Sequence, residues 1–212
     1  MPPRQVWFIR HAESMANTGA ACKETNEQVP LSALGFKQAK ELAGVLERAP
    51  SLFVCSPYLR AQQTAAPILE KFPDVACETW PVQEFVYLRG LAFEIFRNTT
   101  PEELKVRVEN YWNTVSPDYN DGQGTESFNQ LLKRARDVIQ KLESSSQGYI
   151  VVFTHNLFMW ALWMLINRST LMPVEMMRMQ TKLYHGFKIP NVGILKAQVI
   201  DGKLGFSGPA GV

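Results

Sequence analysis

Cysteine and histidine are scarce in this chain of 212 residues, which contains three of each. Cys22, Cys55 and Cys77 have none of the short spacings typical of zinc sites, and the histidines are equally scattered. An odd number of isolated cysteines is also atypical of a secreted disulfide framework and favours a reducing compartment. No glycine-rich loop of the phosphate-cradling type is present. The sequence therefore predicts no metal and no cofactor.

The sequence also lacks a long hydrophobic run and a strong net charge. Its longest apolar run, Leu157 to Ile166, is half the length that a bilayer requires and is typical of a buried helix. Residues 1–10 hold too short an apolar stretch for a signal peptide. The formal net charge of +2 does not indicate nucleic acid or a membrane surface as a partner. We expect a cytoplasmic protein. The sequence leaves open whether it forms a homodimer.

Short apolar runs alternate with amphipathic helical segments along the chain. Val6–Ile9, Leu52–Cys55 and Tyr149–Thr154 are apolar without alternation, as in strands that are covered on both faces. Cys77–Trp80 is a weaker candidate strand, and the apolar stripe from Phe128 to Leu142 predicts the clearest helix. This order predicts one α/β domain of three layers, with a mostly parallel central sheet flanked by helices.

Two segments depart from this alternation. Gly193–Ile200 and Lys203–Phe206 flank an Asp-Gly turn and predict a terminal β-hairpin. Residues 81–122 contain mixed aromatic residues and a helix for which Pro101 suits the first position, behind Thr100 as its cap. We interpret residues 81–122 as an insertion that lies over the sheet.

Reactive side chains follow the predicted strands. Arg10 and His11 end the first strand, Arg60 lies in the helix after the second, and His155 follows the strand at 149–154. Glu84 comes just after the weaker strand. Because ligands in open α/β sheets bind beyond the carboxyl ends of the strands, we expect these side chains to meet.

This combination of side chains favours phosphoryl transfer. Arginine carries a permanent charge and a rigid fork of donors that matches phosphate oxygens. A neutral imidazole is a nucleophile near neutral pH. The transfer itself needs mainly alignment and stabilisation of charge on the equatorial oxygens, and a carboxylic acid can protonate the leaving group. The set meets these demands without a metal.

Four ordered blocks of the sequence resemble the histidine phosphatase superfamily, in its phosphoglycerate mutase-like branch. They are Arg10-His11-Ala12-Glu13-Ser14 with Asn17, Leu31-Ser32 with Gly35 and Gln38-Ala39, Ser56-Pro57 with Arg60, Gln63, Thr64 and Ala65, and Phe153-Thr154-His155. Two later landmarks agree, namely Glu126-Ser127 with Arg134, and Pro190-Asn191. The resemblance implies one domain over residues 1–212, in which residues 81–122 cover the substrate.

The resemblance also implies roles for individual residues. His11 would be the phosphorylated nucleophile, and Glu84 would protonate the leaving group and later activate water. The phosphoryl group would be held by Arg10, Asn17, Arg60 and His155. We also expect Asn156, which follows His155 directly, to contact the phosphate. Because the insertion makes the alignment loose, Glu78, Glu94 and Asp74 are alternatives to Glu84 as the acid.

This sequence departs from the family pattern at two positions. Ala12 and Asn156 stand where the family usually has glycine, and Asn156 adds polar atoms that bear on substrate fit.

Other reactive residues receive structural interpretations. Glu13 is expected to support structure or to orient an arginine, Cys55 to be an inert buried thiol, and His185 to be incidental. Four basic residues of the insertion are expected to form a solvated face, with contact to an anionic substrate as the alternative. These are Arg89, Arg97, Lys105 and Arg107.

We therefore expect a metal-independent phosphomonoesterase of the histidine acid phosphatase type, acting on a phosphorylated small molecule. A phosphoglycerate-type mutase is the alternative, but such enzymes are typically longer. A non-catalytic phosphate-binding module is disfavoured because the histidines, the arginines and a candidate acid are all retained. Selectivity is expected to come from residues 81–122 and from the loop after Met164.

Overall fold

The chain folds around a six-stranded sheet. The computed structural model describes residues 3–19, 24–89, 101–183 and 189–207. The strands are β1 (Arg4–Arg10), β2 (Leu52–Cys55), β3 (Cys77–Thr79), β4 (Tyr149–Thr154), β5 (Ile194–Ile200) and β6 (Lys203–Phe206). The helices are α1 (Ala33–Val45), α2 (Leu59–Lys71), α3 (Pro101–Thr114), α4 (Phe128–Ser144), α5 (Asn156–Asn167) and α6 (Pro173–Leu183), with a short 3-10 turn at Met15–Asn17.

The sheet is mixed, with the strand order β3-β2-β4-β1-β5-β6. β1 and β2 each pair with β4 in parallel, and β3 pairs with β2 in parallel. β5 is antiparallel to β1, and β6 is antiparallel to β5. Arg10 lies opposite Thr154, and Cys55 lies opposite Phe153. The carboxyl ends of β1, β2 and β4 therefore share one edge, as the sequence predicts.

Helices cover both faces of this sheet. Val6 and Phe8 of β1 face the core formed with α4, α5 and α6, while Ile9 faces the core formed with α1 and α2. This alternation follows from the two-residue period of a strand, and full burial of each such side chain is worth about 1.5–3 kcal/mol. The three-layer α/β prediction is confirmed. Within the four described ranges, no helix has the length and hydrophobicity needed to cross a membrane.

The hairpin prediction is also confirmed. β5 and β6 are joined by Asp201 and Gly202, whose φ angles of 50° and 75° are those of a tight turn that matches the strand twist. α3 is described from Pro101 onwards. Because Thr100 and the residues before it lie outside the described residues, the predicted helix start at Pro101 with Thr100 as its cap stays a prediction.

The loop expected after Met164 is present as residues 168–172, and its role in selectivity stays a prediction. α5 continues to Asn167, and α6 follows at Pro173–Leu183. The interpretation of residues 81–122 as an insertion stays a prediction.

Candidate active site

His11 is held at the end of β1 by backbone contacts on both sides. Its N–H donates to Thr154 O at 2.9 Å, which continues the pairing with β4 by one residue. The Asn191 side-chain amide donates to His11 O at 3.0 Å. His11 is only 3% exposed and Arg10 only 7%, so the backbone places both side chains in the interior at the shared edge of the sheet.

The His11 ring has a defined tautomer. Its Nδ1 lies 2.7 Å from the carbonyl oxygen of Ala12, which can only accept, so Nδ1 carries the proton. Arg60 Nε donates to His11 Nε2 at 3.3 Å. Burial, and then the charge of Arg60, hold the pKa of His11 well below its usual value. The ring is therefore neutral near pH 7, with its lone pair on Nε2.

Arg60 lies in the first turn of α2 and is 4% exposed. One of its terminal nitrogens donates to Asn26 O at 2.6 Å, and its guanidinium stacks 4.8 Å from the centre of the Tyr58 ring. Burial lowers the pKa of Arg60 to about 10, so the group stays cationic at neutral pH. The Thr64 hydroxyl donates to Arg60 O and accepts from Ala12 N, which ties α2 to the loop after β1.

His155 is fully buried at the start of α5, and its ring centre lies 5.0 Å from that of His11. Its Nε2 is 2.8 Å from the Ser56 hydroxyl, which follows β2. Within the described part of the chain, His155 Nδ1 and Arg10 Nε are buried and have no hydrogen-bond partner. Two unpaired polar atoms at one edge of the sheet are the kind of groups that an anion would satisfy.

Glu84 reaches the same edge from the segment that follows β3. Trp80 N donates to Cys55 O at 3.1 Å, which prolongs the β2–β3 pairing, and the Thr154 hydroxyl donates to Val82 O at 2.6 Å. Arg134 of α4 donates to the carbonyl oxygens of Pro81 and Gln83, each at 2.9 Å. Contacts from β2, β4 and α4 thus fix the backbone on the amino-terminal side of Glu84.

The Glu84 carboxyl group has one committed oxygen. Oε1 accepts from Phe85 N and from Leu157 N, both at 3.0 Å. Burial raises the pKa of Glu84, and the charges of Arg60 and Arg10 only partly oppose this. Because both backbone donors bind Oε1, the proton of the neutral acid belongs on Oε2. Arg10, His11, Arg60, Glu84 and His155 together form what we call the histidine–arginine cluster.

Asn17 and Asn156 lie at the wall formed by residues 189–191. Asn17 Oδ1 accepts from Ser14 N at 3.1 Å and from Asn191 Nδ2 at 3.2 Å. Asn156 Oδ1 accepts from Ile189 N at 3.0 Å. Arg10 donates to Ile189 O from the same side. These contacts hold the wall in place, and a phosphate contact of either asparagine stays a prediction.

Glu78 and Asp74, two of the three alternative acids, are not near the cluster. Glu78 is exposed on the edge strand β3 and binds Trp80 Nε1 at 2.7 Å. Asp74 is exposed and precedes β3, so it lies towards the opposite edge of the sheet. Glu94 lies outside the described residues. Among the described carboxyl groups considered, Glu84 fits the site best.

The structure describes Glu13 and three of the four basic residues of segment 81–122. The Glu13 carboxylate accepts from the Ser32 hydroxyl at 2.7 Å, at the start of α1. Arg107 is paired with Asp121 at 2.8 Å. Arg89 and Lys105 are exposed. His185 and Arg97 lie outside the described residues.

Sequence reasoning missed Tyr58. Its buried ring packs edge-on against His155, with ring centres 5.3 Å apart, and stacks on the Arg60 guanidinium. Its position directly before α2, inside the Ser-Pro block, was the available signal.

Across the described ranges, no group of three or more His, Cys, Asp or Glu side chains is arranged to hold a metal ion.

Comparisons with known proteins agree on family and fold. Residues 6–188 match the model of the histidine phosphatase superfamily (branch 1). No curated protein sequence matches significantly. A solved structure of a putative alpha-ribazole-5'-P phosphatase from Escherichia coli is 23% identical, with 96% of this chain and 95% of that chain covered and a TM-score of 0.70.

Two further solved structures are similar over nearly the whole chain. A mycobacterial glucosyl-3-phosphoglycerate phosphatase is 20% identical, with 97% of each chain covered and a TM-score of 0.69. A phosphoserine phosphatase variant from Entamoeba histolytica, in complex with phosphoserine, is 17% identical, with 96% and 95% covered and a TM-score of 0.70. At these identities the likeness concerns the fold.

Proposed function

Because the chain belongs to the histidine phosphatase superfamily, branch 1, we propose that it is a phosphomonoesterase. It transfers a phosphoryl group from a phosphorylated small molecule to His11 and then to water. The observation that carries this proposal is the state of the His11 ring, which is neutral, buried and protonated on Nδ1 by its contact with Ala12 O. That tautomer leaves the Nε2 lone pair as the nucleophile.

In the first step His11 Nε2 attacks phosphorus in line with the leaving oxygen. The N–P bond forms, the P–O bond of the ester breaks, and Glu84 Oε2 gives its proton to the leaving oxygen. The raised pKa of Glu84 supports this role, because it keeps the acid protonated to a higher pH than an exposed carboxyl group. His11, which keeps its Nδ1 proton, becomes a cationic phosphohistidine whose charge the Ala12 carbonyl stabilises.

Charge that develops on the phosphoryl oxygens is met by fixed donors. Arg60 would exchange its contact with His11 Nε2 for a phosphoryl oxygen, and the unpaired Arg10 Nε and His155 Nδ1 would each gain an acceptor. The Ser56 hydroxyl supports this arrangement, because donation to His155 Nε2 leaves the His155 proton on Nδ1. No metal is part of this proposal.

In the second step the Glu84 carboxylate accepts a proton from water as the water oxygen attacks phosphorus. The new P–O bond forms, the N–P bond breaks, and phosphate leaves with neutral His11 restored. The names of the three solved structures above are phosphatase names, which supports hydrolysis over the mutase alternative. A cytoplasmic location and a small-molecule substrate remain parts of the proposal.

The test is phosphate release from an aryl phosphate and from a panel of phosphorylated metabolites. His11→Ala should abolish release from every substrate and should also abolish acid-labile phosphate captured on the protein by rapid quenching. His185→Ala, the matched control among the three histidines, should keep both signals. Turnover of His11→Ala at the wild-type rate would overturn the proposal, and binding of phosphate esters without any turnover would identify a binding module instead.

A further inference from the structure

Two of the three cysteines lie side by side at the edge of the sheet. Cys55 ends β2, Cys77 begins β3, and their sulfur atoms are 3.5 Å apart although the residues are separated by 22 positions. Cys55 is 4% exposed, whereas Cys77 is exposed to solvent. The sequence interpretation of Cys55 as an inert thiol therefore misses its neighbour across the strand pair.

The surroundings make the exposed sulfur the more acidic one. When the pair has lost one proton, the remaining proton belongs on buried Cys55, because a charge there would be desolvated. The hydrogen bond that Cys55 then donates lowers the pKa of Cys77 to about 7, although partial burial and Glu78 oppose this shift. The same interaction, with burial, raises the pKa of Cys55. At neutral pH a large fraction of Cys77 is thiolate, which is the reactive form of cysteine.

We propose that Cys77 and Cys55 are a redox modification site, at which a hydroperoxide produces an intramolecular disulfide that lowers turnover. The Cys77 thiolate attacks one peroxide oxygen, so that an S–O bond forms, the O–O bond breaks and water leaves after protonation. Cys55 then attacks the sulfenic sulfur, losing its proton as the S–S bond forms and the S–O bond breaks with release of a second water. Two thiols are oxidised and one hydrogen peroxide is reduced to two waters.

Closure requires movement of β3. A disulfide bond is about 2.0 Å long, so the sulfurs must approach by about 1.5 Å. The register places Cys77 opposite Phe53 and Thr79 opposite Cys55, which makes the two cysteines diagonal neighbours. β3 has only three residues, all exposed, and pairs with β2 alone at the edge of the sheet. The displacement therefore falls on β3, where few contacts resist it.

The effect on turnover rests on the proposed function of the histidine–arginine cluster. Cys55 is followed directly by Ser56, whose hydroxyl contacts His155. β3 leads through Trp80, which donates to Cys55 O, to the segment that carries Glu84. A shift of β3 against β2 would therefore move the start of the segment that carries Ser56 and the start of the segment that carries Glu84. Because misplacement by about 1 Å can lower a rate by up to two orders of magnitude, we expect a loss on the order of tenfold.

The experiment treats the full chain with hydrogen peroxide, blocks free thiols by alkylation and digests with trypsin. The three cysteines fall on separate peptides, 11–23, 49–60 and 72–89. We expect a linked 49–60/72–89 product that dithiothreitol releases, in the wild type and in Cys22→Ser but not in Cys77→Ser. Turnover should fall about tenfold with bond formation and recover with dithiothreitol, and Cys77→Ser should resist peroxide.

The outcomes separate this proposal from the proposed function. Oxidation of Cys77 to sulfinic acid without the linked product, or a link to Cys22 instead, would overturn the redox site. Formation of the link with unchanged turnover would overturn its effect on activity. If the untreated protein turns over no substrate, the proposed phosphatase function fails, while the peptide product still decides the thiol chemistry.

Discussion

Replacement of Glu84 by glutamine tests the proposed acid separately from the proposed nucleophile. Glu84→Gln keeps an oxygen that can accept from Phe85 N and Leu157 N, so the backbone contacts at 3.0 Å are preserved while the transferable proton is lost. A general acid typically contributes 10²–10⁴-fold, which is about 3–5 kcal/mol of transition-state stabilisation. We expect kcat for alkyl phosphates to fall by this factor. An aryl phosphate with a phenol of low pKa should lose at least about tenfold less, because its leaving group needs little protonation.

The assay compares kcat for matched alkyl and aryl phosphates in the wild type, in Glu84→Gln and in Glu78→Gln. Glu78 is the control, because it is an exposed carboxylate on β3 and accepts a hydrogen bond from the Trp80 side chain. Acid-labile phosphate on His11 should persist longer in Glu84→Gln if Glu84 also activates water. Equal slowing of both ester types, or an equal effect of Glu78→Gln, would refute the assignment of Glu84 as the acid.

The pH profile of the same variant provides a second readout. In the proposed mechanism His11 acts deprotonated, so its lowered pKa should place the acid limb of kcat/KM well below pH 6.5. In the same mechanism Glu84 acts protonated, so its raised pKa should place the alkaline limb for alkyl phosphates above pH 4.5. Activity should therefore be highest between these limbs, and Glu84→Gln should lose the alkaline one. An unchanged alkaline limb in the variant would assign that limb to another group.

Three further predictions concern the residues that hold the site in place and its independence of metal ions. Arg134→Ala removes the pair with Glu126 and the donors to Pro81 and Gln83; urea unfolding should show a loss of about 3 kcal/mol, and alkyl phosphate turnover should fall more than KM rises. Gly35→Ala places a methyl group 2.0 Å from the Glu13 carbonyl oxygen and should lower the free energy of unfolding by at least about 1–3 kcal/mol. Gly44→Ala in the same helix is the control, because its methyl group meets no atom within 4 Å and should not lower the free energy of unfolding. Turnover should survive EDTA, and its restoration by zinc or magnesium after a loss in EDTA would contradict the metal-free mechanism.

The sheet was accessible from the sequence because its strands are apolar runs that end in reactive residues. β4 at Tyr149–Thr154 and the hairpin around Asp201 follow directly from local patterns. The adjacency of β1 and β4 is different, since it joins residues such as Ile9 and Phe153 that are far apart in the chain. Periodicity does not contain such pairings. The expectation that His11 and His155 meet came from the rule that ligands in open α/β sheets bind beyond the carboxyl ends of the strands.

Other features needed the tertiary structure. α6 was not predicted from its methionine-rich sequence, although Met176, Met177 and Gln180 are buried at helical spacing. Arg134 was recognised as a landmark, but its contacts with Pro81 and Gln83 link α4 to a loop about fifty positions earlier. The proximity of Cys55 and Cys77 depends on the register of β2 and β3. Long-range register and side-chain direction are the common cause of these misses.

The unpaired buried atoms Arg10 Nε and His155 Nδ1 have a consequence for enzyme kinetics. A buried polar atom without a partner is unfavourable by about 1–3 kcal/mol, and inorganic phosphate would satisfy both atoms as well as a substrate ester does. Under the proposed function, tight binding of phosphate would slow its release, and a release step slower than the chemistry would appear as a burst of alcohol in the first turnover. Phosphate would also raise the melting temperature by mass action. Under the proposed function, the enzyme would be inhibited by its own product, so its rate would fall as the free phosphate concentration around it rises.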